Sequence, residues 1–380
     1  MDERSVLLKQ YRKFTGDDPV DIVRMPRSGS DRLYFRIIEK RRTIIGVYNP
    51  NRDENQTFIG FSRHFARLNL PVPEVLYYDK GSNAYFLQDL GDTNLFTWIE
   101  RKRQTTGFDE EVVDIYRKTL DRLIEFQVRG IKDLNLDLCY PHRSFDRQSM
   151  MWDLNYFKYM FLKLIAVPFN EKRLEKDFNA LADFLLEAGQ HYFLYRDFQS
   201  ANIMVLDKEP WFIDYQGGRL GAAQYDLASL LYDSKAHIPQ QVREILIEHY
   251  IENFCEYTKV DEAQFRKQLP GFIIIRIMQA LGAYGYRGLY EQKPGFVQSI
   301  IPAIRDLDGV IGSGSMAIDL PELFRIIEQI PSINRFEVLQ EPEILRISIS
   351  SFSYMNGIPS DRVHGGGFVF DCRCLANPGK

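Results

Sequence analysis

The stretch Tyr195-Arg196-Asp197-Phe198-Gln199-Ser200-Ala201-Asn202, followed by Trp211-Phe212-Ile213-Asp214, decides how this chain is read. It sets an acid, an amide five residues later, and a second acid at the end of the next apolar run. Ile203-Met204-Val205-Leu206 and Trp211-Phe212-Ile213 read as short strands, joined by the turn Asp207-Lys208-Glu209-Pro210. Phosphoryl transfer from a nucleotide needs such parts. One carboxylate accepts the proton of an acceptor hydroxyl and aims its oxygen at the phosphate. A divalent cation, held by oxygen ligands, neutralises the charge that spreads over the phosphate oxygens. On this reading Asp197 is the catalytic base, and Asn202 and Asp214 are Mg²⁺ ligands. A proton that leaves late in a loose transition state demands positioning more than basicity. Asp and Asn are also common turn residues, so a bare D-x-x-x-x-N pattern would decide little. The Arg directly before the acid, the two bracketing strands and the helical stretch upstream carry the argument.

Upstream, residues 21–48 hold three strand patterns: Ile22-Val23, Leu33 to Ile38, and Thr43 to Tyr48. Phe58, Phe61, Phe65 and Leu68 have helical spacing within residues 53–68. Val75 to Tyr78 and Ala84 to Leu87 read as a hairpin about Lys80-Gly81-Ser82-Asn83. The chain then turns helical at residues 110–128, 149–166 and 173–188. Helical patterns resume after the short strands at 225–234, 239–258, 263–288 and 294–305, with Pro270 expected to break the start of the third. Gly309 to Ser315 reads as a loop or linker, followed by a helix at 320–330.

Bulk composition excludes several classes. Hydrophobic residues make up 45% of the 380, enough for a large core and too many for a disordered chain. A net charge of −4 without a long basic run gives no support to a nucleic-acid surface. The four cysteines, Cys139, Cys255, Cys372 and Cys374, make neither a disulfide framework nor a zinc set and are read as thiols of a reducing cytoplasm. The N-terminus has no apolar signal core, and no apolar run is long enough to span a membrane. A cytoplasmic location is expected.

On the Tyr195–Asn202 loop with Asp214, the chain resembles the aminoglycoside phosphotransferase/choline-kinase superfamily over about residues 10–310. The resemblance implies an α+β, protein-kinase-like two-lobed fold that uses ATP and Mg²⁺. It divides the chain into a nucleotide-binding lobe at 1–91 and a helical lobe with catalytic loop and acceptor site at 92–310. A linker with a helix follows at 311–343. Phe86 to Asp92 is similar to the hinge of that family, where main-chain groups around Gln88 and Leu90 would meet adenine. Gln224 to Leu230 resembles the segment in which an acid, here Asp226, buttresses the catalytic loop. Closer still, Tyr195 to Met204, Gln216 and the Asp226 segment are similar to bacterial N-acetylmuramate/N-acetylglucosamine anomeric kinases. That likeness implies phosphorylation of an amino-sugar hydroxyl in cell-wall recycling.

Two departures stand out. Tyr195 replaces the usual His, and the third strand, Ile44-Ile45-Gly46-Val47-Tyr48, lacks the phosphate-binding Lys. Arg36 on the neighbouring strand is the candidate replacement, with Glu54 as its candidate partner; a solvated strand Arg would look the same. Ser28, Gly29 and Ser30 occupy the place of a phosphate-covering loop. Arg196 is expected to support the loop; it and Gln199 flank the base and are candidates to touch the acceptor. Arg287, in Tyr284-Gly285-Tyr286-Arg287, is the candidate for an acidic or N-acetyl group of a sugar. No dense acidic run faces a polycation, which favours a neutral or acidic sugar over aminoglycosides.

Residues 344–380 resemble the start of the C-terminal domain of the RNase-adapter protein family, through Ser351 to Tyr354, Gly357-Ile358-Pro359 and Phe368 to Arg373. The segment is expected to be the truncated start of a second domain. Any nucleic-acid contact would belong to the remainder of that domain, and the kinase part is expected to meet only a small-molecule acceptor. A catalytically weak, nucleotide-binding regulatory module and a choline, homoserine or aminoglycoside kinase remain alternatives at this stage.

Overall fold

Two hydrophobic layers on opposite faces of one sheet build the N-terminal lobe of the computed structural model, which describes residues 2–26 and 32–332. The described residues belong to one unit of the chain, Met1–Leu339. The expected phosphate loop Ser28-Gly29-Ser30 and the tail 344–380, with its resemblance, lie outside the described residues.

The lobe begins with α1 (Glu3–Thr15), which Asp2 caps by accepting the Ser5 N–H at 2.6 Å. β1 (Asp21–Arg24), β2 (Leu33–Ile38), β3 (Thr43–Tyr48), β4 (Val75–Tyr78) and β5 (Ala84–Gln88) form an antiparallel sheet in the order β1-β2-β3-β5-β4. Period-two alternation divides its side chains between the faces. Phe35, Ile37, Ile44 and Phe86 meet Leu7 and Tyr11 of α1 on one face. A Cβ on Gly46 would come within 2.9 Å of Ile37 and 3.1 Å of Leu7, so β3 has no room for a side chain at that point. On the other face lies α2 (Arg52–Arg67), capped by Asn51. Its Phe58 stacks on Tyr85 of the sheet at 5.5 Å and on Tyr215 of the second lobe at 5.1 Å. Ser62 of the same helix meets the Tyr215 hydroxyl at 2.6 Å. One helix face thus joins the two lobes.

The second lobe is mainly helical. α3 (Leu95–Arg103) and α4 (Glu110–Val128) precede α5 (Arg147–Phe157), a π turn over residues 158–162, α6 (Lys163–Ile165) and α7 (Glu171–Leu186). Three short strand segments follow: β6 (Tyr192–Leu194), the hairpin β7 (Ile203–Leu206) with β8 (Glu209–Phe212), and β9 (Arg219–Gly221), which pairs with β6. α8 (Gln224–Leu231), α9 (Gln240–Thr258), α10 (Glu262–Tyr284), α11 (Pro294–Val297), α12 (Ile300–Gly312) and α13 (Pro321–Gln329) complete the described chain. Buried α10 runs through the middle, against α5, α8 and α12. At its end Gly285 lies so near the Met160 carbonyl that a Cβ would stand 1.9 Å from it.

Three local expectations are corrected. Pro270 does not break its helix, because α10 runs unbroken through it. Burial of Phe265, Leu269, Phe272 and Ile273 on either side offsets the hydrogen bond that proline forfeits. The β7–β8 turn contains only Asp207 and Lys208, both left-handed at φ 51° and 62°, so Glu209 and Pro210 belong to the strand. N-terminal residues 3–15, which carried no expected element, form a helix that the sheet needs as a cover. The helix expected at 320–330 is present as α13, and it packs into the lobe. Leu323, Ile326 and Ile327 of α13 are fully buried, and Asp177 of α7 accepts the Glu322 and Leu323 N–H groups at 2.7 and 2.9 Å.

Asp177→Ala is therefore expected to strand two buried N–H donors at the start of α13 and lower stability by roughly 1–3 kcal/mol in urea unfolding. A change under a few tenths would show that this cap does not anchor α13.

Candidate active site

The site is built where β6 leads into the loop 195–202 and where β8 ends at Asp214. Two non-glycine residues there take left-handed backbone, Arg196 at φ 83° and Asp214 at φ 71°. Such conformations cost of order 1–3 kcal/mol and persist only where surrounding contacts over-determine them. At Arg196 those contacts are explicit. Its N–H and that of Tyr195 donate to the two Asp226 oxygens at 3.1 and 2.7 Å. Its guanidinium grips Asp153 through both nitrogens at 2.6 and 2.7 Å and reaches the Tyr225 hydroxyl at 2.6 Å. The same group lies over the Phe145 and Tyr225 rings. Arg196 is thus engaged in shaping the loop, as the supporting role expected of it requires.

Tyr195, where the resembled family has His, is fully buried, and its hydroxyl donates to the Ile213 carbonyl directly before Asp214. An aromatic ring with one polar tip therefore ties the two halves of the site together. Ser200 donates to the buried Asp233 carboxylate at 2.6 Å, which fixes the far end of the loop.

Asp197, Asn202 and Asp214 are brought together. Asn202 Nδ2 donates to the Asp197 carbonyl at 2.9 Å and lies 3.4 Å from Asp214 Oδ2. With the amide nitrogen so engaged, the amide oxygen is the atom left for a cation. Asp214 also accepts from Gln216 Nε2 at 2.8 Å. Asp197 is half-buried, and among the described residues no side-chain or main-chain donor engages its carboxylate. Among the described residues no group of three or more His, Cys, Asp or Glu forms a metal cage. One amide and one carboxylate suit Mg²⁺, which keeps several waters and takes phosphate oxygens for the rest of its shell.

The N-terminal lobe departs from expectation. Arg36 is bidentate to Asp89 at 2.7 and 3.0 Å and also reaches Asp92 at 3.0 Å. It braces the connection after β5, and Glu54 is not its partner. Glu54 instead binds Arg32 at 2.6 Å, and the same guanidinium lies 3.1 Å from Asp214. Tyr34 and Arg36 lie on one face of β2, and Arg32, just before the strand, continues the alternation toward Asp214. The overlooked signal was a cation directly before the strand, two residues from a tyrosine that it touches through the hydroxyl at 3.3 Å. Asp153 on α5 and Asp233, just past the end of α8, were also missed; neither gives a sign in sequence of the loop it holds.

Past β5, Leu90 is buried, and among the described residues no partner meets its N–H or carbonyl. Gln88 N–H is already bonded to the Glu74 carbonyl at 2.9 Å. Gln199 sits in the loop two residues after Asp197, with its carbonyl accepting from the Asn202 N–H at 2.9 Å. Arg287 lies in the π turn after α10, over the Phe296 ring at 5.4 Å. Lys235 lies over the same ring, two residues from the Asp233 that holds Ser200.

Residues 21–264 match the model of the APH phosphotransferase enzyme family, well over half of the chain. The chain belongs to the phosphotransferase enzyme family. A curated relative, an N-acetylmuramate/N-acetylglucosamine kinase of Neisseria meningitidis serogroup B, is 26% identical over 189 residues. That match covers 49% of this chain and about half, 52%, of the relative. Among solved structures, a choline kinase from Streptococcus pneumoniae aligns with a TM-score of 0.53 at 14% identity, covering 80% of this chain and 99% of that one. An amicoumacin kinase in complex with AMP-PNP and Ca²⁺ aligns at 0.57 and 12% identity, covering 85% and 97%. These likenesses show the kinase-like two-lobed fold. Among the described residues no helix is long and apolar enough to cross a membrane.

Asp226 supplies a pH test. Complete burial pushes its carboxyl up to about 7 from 3.8, against the pull of the Tyr195 and Arg196 N–H groups and of Gln127. Between about pH 4 and 7 the folded chain then holds a proton that the unfolded chain lacks, so this group's contribution to stability falls as pH rises. Asp226→Asn should be less stable at pH 5 by roughly 1–3 kcal/mol, since it offers one acceptor to two buried donors. The gap from wild type should narrow in urea unfolding at pH 7. A gap that widens would contradict this assignment.

Proposed function

We propose that this chain is an ATP- and Mg²⁺-dependent kinase of a small-molecule hydroxyl, with an amino sugar of the N-acetylmuramate/N-acetylglucosamine type as acceptor. The convergence of Asn202 and Asp214 beside an Asp197 carboxylate that no donor engages among the described residues carries the reading. In it Asp197 accepts the proton of the acceptor hydroxyl and aims that oxygen. The Asn202 oxygen and the Asp214 carboxylate would hold Mg²⁺, which when bound neutralises charge on the phosphate oxygens. The Leu90 main chain, with neither polar group bonded among the described residues, is the favoured contact for adenine. Gln199 and Arg287 remain the proposed acceptor contacts, and their placement on the helical side agrees with that role.

The sugar assignment draws on the curated relative and on the Tyr195–Met204 likeness. The regulatory-module alternative drew its support from the missing strand Lys and from Tyr195. Arg32 supplies a cation next to Asp214, and the Tyr195 hydroxyl serves the loop, so neither departure favours that alternative.

ADP release should rise when N-acetylmuramate or N-acetylglucosamine is added with Mg·ATP. Asp197→Asn should lower turnover by about 10²–10⁴-fold with little change in KM for ATP. If neither sugar, nor choline, homoserine or an aminoglycoside, lifts turnover above that variant, the kinase reading fails.

A further inference from the structure

We infer that Arg32 is the phosphate-binding cation of this chain and that, before nucleotide arrives, it guards Asp214 against free divalent metal. The inference rests on the kinase reading above and deepens it.

β3 cannot supply the cation. Its six residues, Thr43 to Tyr48, contain no Lys or Arg, and the packing around Gly46 leaves no space for one there. Arg32 comes instead from the residue before β2 and is only 5% exposed. Its Nη2 donates to Glu54 Oε1 at 2.6 Å, and its Nη1 to Asp214 Oδ1 at 3.1 Å. Glu54 is itself fixed, because Asn49 Nδ2 donates to its second oxygen at 2.8 Å. The guanidinium therefore has one well-anchored partner and one partner that belongs to the proposed metal site. Arg32 Nε is buried and finds no partner among the described residues, so the head group still has a donor for an arriving oxygen.

Charge decides the order of events. One guanidinium lies between two carboxylates, which leaves the trio one negative charge. A bare divalent ion that approaches Asp214 meets a cation already on Oδ1, with Gln216 Nε2 on the same oxygen at 2.8 Å. Displacing that cation into a buried space without an anion is costly. A metal that arrives with a triphosphate brings the anion with it. Arg32 can then exchange Asp214 Oδ1 for a phosphate oxygen while Glu54 keeps hold of Nη2, and Asp214 is freed for the metal. The fork of Arg suits this double duty, whereas a Lys ammonium would serve one direction at a time.

The prediction has opposite signs for two ligands, which a merely structural role would not produce. Mn²⁺ binding to the full chain without nucleotide would be read by electron paramagnetic resonance. Mg·ATP binding without acceptor would be read by titration calorimetry. Arg32→Ala should bind free Mn²⁺ roughly tenfold more tightly and Mg·ATP roughly tenfold more weakly, about 1.4 kcal/mol in each direction. Arg32→Lys should recover part of the nucleotide affinity. Glu54→Gln, which keeps Arg32 but loosens its anchor, should weaken Mg·ATP without improving free Mn²⁺ binding. If Arg32→Ala weakens both ligands, or leaves nucleotide affinity unchanged, Arg32 is only a packing cation and the inference is overturned. Both readouts omit the acceptor, so a failure to find the correct sugar would not affect them.

Discussion

The buried Asp226 carboxylate is the constraint from which the catalytic side of the molecule follows. It receives the amides of Tyr195 and Arg196 at the point where the backbone turns left-handed, and this aims the next residue, Asp197, out of the core. Other contacts repeat the restraint from different sides. Asp153 holds the Arg196 side chain, Asp233 holds Ser200, and Tyr195 reaches across to the Ile213 carbonyl. Strain in the loop is thereby held by groups that need never touch a substrate. Both catalytic strand ends are tied to one rigid centre, and that centre is tied to α10 through Arg276, which donates to Ser229 of α8 at 2.9 Å.

The clustering of the proposed catalytic residues was legible in the sequence because it is local. Asp197, Asn202 and Asp214 lie within one loop and one hairpin, so residue spacing nearly determines their proximity. Strands and most helices were legible for the same reason, through period-two and period-3.6 patterns. What was lost is long-range. The Arg32–Asp214 contact spans 182 positions, and Arg36 pairs across 53 with Asp89, so no window of sequence shows which arginine faces which acid. Pro270 misled because its local cost is real, yet the apolar wall around α10 outweighs it.

The two lobes share an economy of aromatic packing. Phe58 stacks on Tyr215, Phe65 meets Phe193 and Tyr215 edge-on, and Phe193 in turn meets Tyr195. This apolar seam joins α2 to the loop that follows Asp214. It therefore sets where Glu54, on the same helix, stands relative to the proposed metal site. A lobe-joining helix that also carries the partner of Arg32 makes the nucleotide side and the catalytic side parts of one arrangement.

The most direct test of the central claim is a crystal structure of the chain with Mg²⁺ and a non-hydrolysable ATP analogue. The account predicts metal density bridging the Asn202 side-chain oxygen, the Asp214 carboxylate and phosphate oxygens, with Asp197 open to the side away from the nucleotide. A nucleotide bound elsewhere, or a metal that touches neither Asn202 nor Asp214, would contradict it.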